Sequence, residues 1–290
     1  MKTVNLFLVA VLSFSVIFTS CEKEEVEPVR TETPEPGTTD DEDNANNGGG
    51  TTTPPNNGGG TPGNGGSVPP WVNSPAADAR LTSVGMTAWG YDAQKRLNFY
   101  DSYNANDDYR VIYEGNQAVR MEFATGHYLV YEWEGGKVTA ARTYAQDGLE
   151  INWFRFEYSG DKLVKKIKSS WYPNYIRGWL TVSEYNYDEK GNLSQATIRH
   201  AQSDKFEDLG QPSIITWGDY DDKINPRPAA ESDLYLPGVT MFVNNPGFRN
   251  AGSKELFSYT YHESGLPYQR FDKVEGYEHV PAITNTYEYQ

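Results

Sequence analysis

The sequence predicts an all-β fold, a long antiparallel meander of hairpins, and three observations carry that reading. Aromatic residues are abundant, with 21 Tyr, 12 Phe and 7 Trp among 290 residues, and such side chains favour half-buried pleated surfaces. Apolar and polar residues alternate with period two in run after run. Leu129, Tyr131 and Trp133 alternate with Glu132 and Glu134, and Phe257, Tyr259 and Tyr261 alternate with Ser258, Thr260 and His262. That period belongs to strands with one buried face. The third observation is a recurring turn. Tyr187-Asp-Glu-Lys-Gly-Asn-Leu193 sets its form: an aromatic, an acidic residue, a glycine four places on, then an apolar residue.

Related turns begin at Tyr91 (without the glycine), Tyr113, Trp133, Tyr144, Tyr158 and Tyr261. Physically each is a hairpin. The aromatic ends one strand, Asp, Asn and Gly tolerate positive φ in a short loop, and the Leu or Val starts the next strand. The alternation puts Phe123, Tyr131, Trp133, Tyr185, Tyr187, Tyr259, Tyr261 and Tyr287 on an inward face. Val119 and Met121 share the face of Phe123, while Arg155, Glu157, Lys166 and Lys168 fall on a charged outer face. No stretch shows a long 3.6-residue stripe, so helix should be scarce.

The chain divides at visible joints. Residues 1–20 read as a signal segment: Lys2 starts it, and Val4–Phe18 is an apolar run shorter than the ~20 residues that cross a bilayer as a helix. Thr19-Ser20-Cys21 follows, and Cys21 is the only cysteine. Charged start, apolar run, small residues and cysteine together resemble a bacterial lipoprotein signal, in which that cysteine is acylated and becomes the mature N-terminus. Multiple acyl chains anchor stably where one holds only marginally.

Residues 21–70 read as a lipidated, disordered tether. Its first part carries ten acidic residues against Lys23 and Arg30, a net of −8 out of the chain's −15, and then turns to Asn, Gly, Thr and Pro. Such a stretch has little apolar surface to offset its ordering entropy, and as a flexible coil it would span roughly 35–40 Å. The Cys21-Glu-Lys-Glu-Glu start resembles the export signals of Bacteroidetes-type surface lipoproteins, which implies an outer membrane lipoprotein facing the cell exterior, with the periplasmic face as the other placement.

Residues 71–290 read as the folded β domain, containing all 21 tyrosines and more than ten strands. Only the 225–254 stretch breaks the meander. Pro226, Pro228, Pro237 and Pro246 oppose regular central strands there, yet Leu234, Tyr235, Leu236, Val239, Met241 and Phe242 can pack. It reads as an irregular covering segment, a plug or cover over a barrel end or sheet edge. A curved sheet or a flattened soluble barrel would accommodate the rest.

The Tyr-Asp…Gly…Leu hairpins are similar to the YD repeats of Rhs-type cell-surface proteins. The layout from about Leu81 to Gln290, and especially Tyr220-Asp-Asp-Lys-Ile-Asn-Pro226 and Phe257-Ser-Tyr-Thr-Tyr-His-Glu-Ser-Gly-Leu-Pro267, resembles a family of Bacteroidetes lipoproteins of unknown function. That family is described as having a porin-like fold. The resemblance implies a fold and brings no catalytic residues. A true outer-membrane barrel shows lipid an apolar band on every strand, which the charged alternate positions here oppose.

The acidic balance argues against nucleic acid as a partner, since phosphate neutralisation needs clustered Lys and Arg. One cysteine and four scattered histidines give no metal-ligand spacing, and no nucleophile elbow or phosphate loop is present. No cofactor and no catalytic residue are therefore expected. Paired carboxylates such as Glu132 with Glu134, or Asp219, Asp221 and Asp222, could serve a glycan hydrolase but suit a solvated β face equally. The expected function is a membrane-anchored, surface-displayed binding or interaction module for a glycan or peptide. The alternatives are a surface glycan hydrolase and a purely structural envelope protein. Trp153, Trp171 and Trp179, in segments with aromatics on both faces, are the candidate ligand-binding residues.

Overall fold

The computed structural model describes residues 67–171 and 178–290. The signal segment, Cys21 and the tether as far as residue 66 lie outside the described residues. Strands β1 (Leu81–Val84), β2 (Thr87–Tyr91), β3 (Leu97–Asp101), β4 (Tyr109–Glu114), β5 (Gln117–Phe123) and β6 (Tyr128–Glu134) open the domain. β7 (Lys137–Tyr144), β8 (Glu150–Ser159), β9 (Lys162–Ser170), β10 (Trp179–Tyr187), β11 (Leu193–Ala201) and β12 (Ser213–Gly218) continue it. A two-residue pair, β13 (Ala230–Glu231) and β14 (Leu234–Tyr235), interrupts before β15 (Phe248–Asn250), β16 (Lys254–Tyr261), β17 (Pro267–Val274) and β18 (Ile283–Tyr289). Sixteen of these strands pair antiparallel with their neighbours, and β1 pairs with β18. The meander therefore closes into a barrel, which decides between the curved sheet and the barrel that the sequence left open.

Closure brings alternate hairpins to one rim. The turns beginning at Tyr91, Tyr113, Trp133, Tyr158, Tyr187 and Tyr261 all lie at that end, where β1 also begins and β18 ends. Each of these hairpins carries a register shift beside the aromatic, a bulge that adds a residue and tightens the twist. The aromatic then points inward, and at every one of these turns but that of Tyr261 its polar tip donates to the backbone of the preceding hairpin. Tyr91 bonds the Leu81 carbonyl, Tyr113 that of Leu97, Trp133 that of Ala118, Tyr158 that of Val138, Tyr187 that of Leu163 and Tyr289 that of Pro267, at 2.7–2.9 Å. Tyr220 bonds the Leu193 carbonyl in the same way. Burial removes water from the phenolate form and pushes Tyr91 and Tyr158 up to about 12, so these hydroxyls stay protonated donors.

The acidic residue of the repeat closes the turn. Asp92 Oδ1 accepts from the amides of Gln94 and Arg96, and Asp188 Oδ1 from those of Lys190 and Asn192. The residue four places after the aromatic takes positive φ, at Gly191 and also at Lys95, whose φ of 61° puts an ordinary side chain where glycine is favoured. The turn at Tyr144 is different. It lies at the opposite end, Tyr144 stacks on Tyr128 on the outer face, and Leu149 is exposed. An inward aromatic at this rim recurs once per hairpin, every second strand, so Tyr144, one strand after Trp133, meets the opposite end.

The bulges also change which side chains point inward. The inward placement of Phe123, Tyr131, Trp133, Tyr185, Tyr187, Tyr259 and Tyr287 holds, for all of these lie in or against the core. Ala118, however, is fully buried where Val119 was expected, because Tyr113 pairs with Ala118 after the shift. The expectation that Lys166 and Lys168 face outward fails for the same reason. The bulge opposite Tyr158 reverses the phase of β9, and both lysines turn into the lumen. Ile167 and Ser169 are left on the outer face. There Ile167, Leu180, Val182 and Ala201 form a small second core with Leu209.

The irregular segment is a plug. It runs from Asp219 to Gly247, shifted toward the N-terminus from the expected 225–254, because β12 ends at Gly218 and Phe248–Asn250 already pairs with both β12 and β16. It enters at the tyrosine rim and packs Leu234, Leu236, Tyr235, Val239, Met241 and Phe242 into the barrel core. Tyr131 donates its hydroxyl to the Tyr235 carbonyl, and the Tyr235 amide approaches Met121 Sδ at 3.4 Å. A barrel of this many strands would be hollow if its own side chains alone had to fill it, and the plug occupies that space.

Candidate functional site

The lumen has two unlike walls. From β2 to β8 it is apolar: Tyr100 stacks on Tyr109 at 4.8 Å between ring centroids, and Met121, Leu129, Ala141 and Phe154 are fully buried. Tyr109 is 1% exposed, and its buried hydroxyl has no hydrogen-bond partner among the described residues. From β9 to β18 the wall is charged. Lys166 meets Glu231 and Lys168 meets Asp233, each at 2.6 Å, so the tip of the plug is latched by two ion pairs. Further round, Arg270 holds Asp272 through two hydrogen bonds of 2.6 and 2.7 Å, Asn285 donates to Asp272, and Arg249 meets Glu255 at 3.1 Å. Burial opposes the charges of Lys166 and Asp233. Glu231 nevertheless holds Lys166 above its ordinary value, and Lys168 with Lys166 holds Asp233 below the carboxylate range.

Two asparagines, which the sequence patterns do not single out, fix the plug to the rim. Asn192 is fully buried. Its Oδ1 accepts from the amides of Val243 and Asn244 at 2.8 Å each, and its Nδ2 donates to Asp188 and to Asn244 Oδ1. Asn245, 2% exposed, donates its amide and side chain to Asp221, and Tyr261 donates its hydroxyl to the same carboxylate. The tyrosine hydroxyls of the rim bond backbone carbonyls and this Asp, because each bulge presents a carbonyl at the distance a tyrosine reaches. The signal for Asn192 was its place after the turn glycine, where an amide can serve both its own turn and a neighbour.

Three of the candidate carboxylates are occupied with structural partners. Asp221 is bound as above, Asp222 meets Lys223 at 3.1 Å, and Glu132 meets Arg142 at 2.7 Å on the outer face. The three tryptophans are not brought onto one surface. Trp153 lies half-buried on the outer face, with the guanidinium groups of Arg142 and Arg155 at 5.9 and 5.5 Å from its ring. Trp179 pairs with Ser170 in the phase of the lumenal Lys168 and so stands on the inner side of the rim opposite the tyrosines, 46% exposed. Trp171, 37% exposed, lies at the same rim.

The outer face carries charge where a membrane-spanning barrel carries an apolar band. Arg120–Glu122, Arg142–Glu132, Arg142–Glu150, Lys165–Glu157 and Arg199–Glu184 are ion pairs on it.

No protein-family model and no curated protein matches the chain. Solved structures do. A porin-like protein from Bacteroides vulgatus ATCC 8482 aligns over 73% of this chain and 99% of its own, at 14% identity and a TM-score of 0.52. A porin-like protein from Bacteroides uniformis ATCC 8492 aligns over 73% and 94% respectively, at 14% identity and a TM-score of 0.48. The likeness to the first shows a shared porin-like fold, as the sequence resemblance implied.

Proposed function

We propose that the chain is an envelope lipoprotein, acylated at Cys21 and displayed at the cell surface on its acidic and Gly/Asn/Thr/Pro-rich tether, and that its barrel is a binding or interaction module. The charged outer face carries this reading. A closed barrel ringed by ion pairs gains nothing from lipid, so attachment to a membrane falls to the cysteine. The leading segment of the domain is fastened at the tyrosine rim, where Ser74 accepts from the Ser264 amide and Asp78 meets Lys95 at 2.9 Å. The opposite rim, with Trp171 and Trp179, is then the end of the barrel farthest from the tether. Rigid aromatics at such a rim suit stacking on sugar rings or peptide side chains.

Metabolic labelling with a radioactive fatty acid, detergent-phase partition and protease shaving of intact cells test the placement. The parent chain should take the label, enter the detergent phase and be cleaved on intact cells. Cys21→Ala should lose the first two properties. A signal-cleaved Cys21→Ala chain that still entered the detergent phase would overturn the lipid anchor. A glycan and peptide array tests the module, with Trp153→Ala, Trp171→Ala and Trp179→Ala compared against the parent.

A further inference from the structure

Between the plug and the β9–β10 wall the lumen holds a cavity of about 210 Å3. Its lining is graded. Arg227 and Glu231 are exposed, Lys166 and Tyr185 are largely buried, and Leu234 and Leu236 are 3% and 4% exposed. The cavity therefore runs from a charged, wet lip to an apolar floor, which Met241 and Phe242 help to complete. Its charges do not cancel. Lys166 is committed to Glu231. Arg227 has no carboxylate within ion-pairing distance among the described residues, and its guanidinium stands over the Tyr287 ring at 5.7 Å.

One uncommitted guanidinium beside an apolar recess is a chemical specification. The planar fork of arginine matches a carboxylate with two parallel hydrogen bonds, and a tyrosine face beneath it steadies the cation. Glu231 at the same lip disfavours an occupant with two negative charges. The volume is below the ~300–1,000 Å3 of pockets for drug-sized ligands, so the occupant is small, and methionine adapts to an apolar body of irregular shape. We propose that this cavity binds a small organic monocarboxylate, with the carboxylate on Arg227 and a compact apolar body against Leu234, Leu236 and Met241. The assignment rests on the reading of the barrel as a binding module and places its ligand in the lumen, away from the three tryptophans.

Saturation-transfer NMR on the purified full chain tests it with three probes: phenylacetate, the neutral benzyl alcohol, and acetate, which lacks the apolar body. Phenylacetate should bind saturably, and the other two at least tenfold more weakly. Arg227→Gln should weaken phenylacetate at least tenfold and leave thermal unfolding unchanged, because that side chain is exposed. Met241→Trp, which fills the recess, should abolish binding, and Glu132→Ala on the outer face should bind like the parent. If Met241→Trp fails to fold, Arg227→Gln alone decides. The proposal is overturned by the absence of saturable phenylacetate binding, by equal binding of benzyl alcohol, or by an Arg227→Gln variant that binds like the parent. Loss of phenylacetate binding alongside a positive glycan or peptide array would remove this ligand and keep the module, whereas failure of both would remove the module.

Discussion

The wall of the barrel and its plug are held by different means. The wall is a chain of local devices. Each hairpin closes on its own turn residues, and the inward aromatics Tyr91, Tyr113, Trp133, Tyr158 and Tyr187 each tie theirs to the hairpin before through one bond of 2.7–2.9 Å. The plug has little regular backbone pairing of its own, Ala230–Glu231 with Leu234–Tyr235 and a single bridge between Ile224 and Asn244. It is held by partners far away in sequence: Asn192 at its base, Lys166 and Lys168 at its tip, Tyr131 and Met121 across the lumen. The difference teaches that repetition stabilises a sheet by increments, whereas a single inserted segment depends on a few polar anchors whose loss no neighbour makes good.

The largest expected effect falls on the wall. Phe154→Ala removes a fully buried ring and should cost ~3–5 kcal/mol, read by chemical denaturation as a loss for the whole domain. Asn192→Ala should cost about 3 kcal/mol, since it leaves the part-buried amides of Val243 and Asn244 without their acceptor, at ~1–3 kcal/mol each. Here the signature separates the two regions. Hydrogen exchange should quicken at Leu236 and Val243 while the amides of β5–β8 keep their protection. Uniform quickening would show that plug and wall unfold as one unit.

Acid should act on both regions. Desolvation works against the charge of Asp92, Asp188 and Asp233. It is outweighed by Arg96 for Asp92, by the Asn192 amide for Asp188 and by Lys168 for Asp233, and all three are held below the ordinary 3.8. A depressed folded-state value stabilises above the unfolded value and is lost as pH falls through the folded one. The contribution of these three carboxylates should therefore be complete from about pH 5 upward and be lost as pH falls below 3.8. In Asp233→Asn that acid decline should be shallower, as measured by denaturation midpoints across pH. A slope identical to the parent's would place the acid sensitivity in the wall alone.

The smallest effect sharpens the account of the wall. Tyr187→Phe keeps the ring and deletes one hydrogen bond to the Leu163 carbonyl, so it should cost about 1 kcal/mol. A neutral result would mean that the tyrosine-to-carbonyl ladder follows from packing and adds nothing to it.

The antiparallel meander, the hairpin turns and the aromatic inward face were legible in the chain alone, because those follow from residues within a few positions of one another. Period-two alternation and an Asp-to-glycine spacing are complete local instructions. Even the plug was legible as a proline-broken apolar stretch. The rest depends on contacts between distant segments. A bulge is invisible in an alternation pattern, yet it shifts the phase by one residue and sends Lys166 and Lys168 inward to meet Glu231 and Asp233, some 65 residues away. The use of Tyr187 as a donor needs the Leu163 carbonyl, which arrives there only when β9 pairs with β10. Closure through β1 and β18 joins the two ends of the domain, and the lumenal cavity exists only once the plug stands inside that closed wall. Each of these contacts joins segments distant in sequence, and local patterns carry no information about which distant partner will complete them.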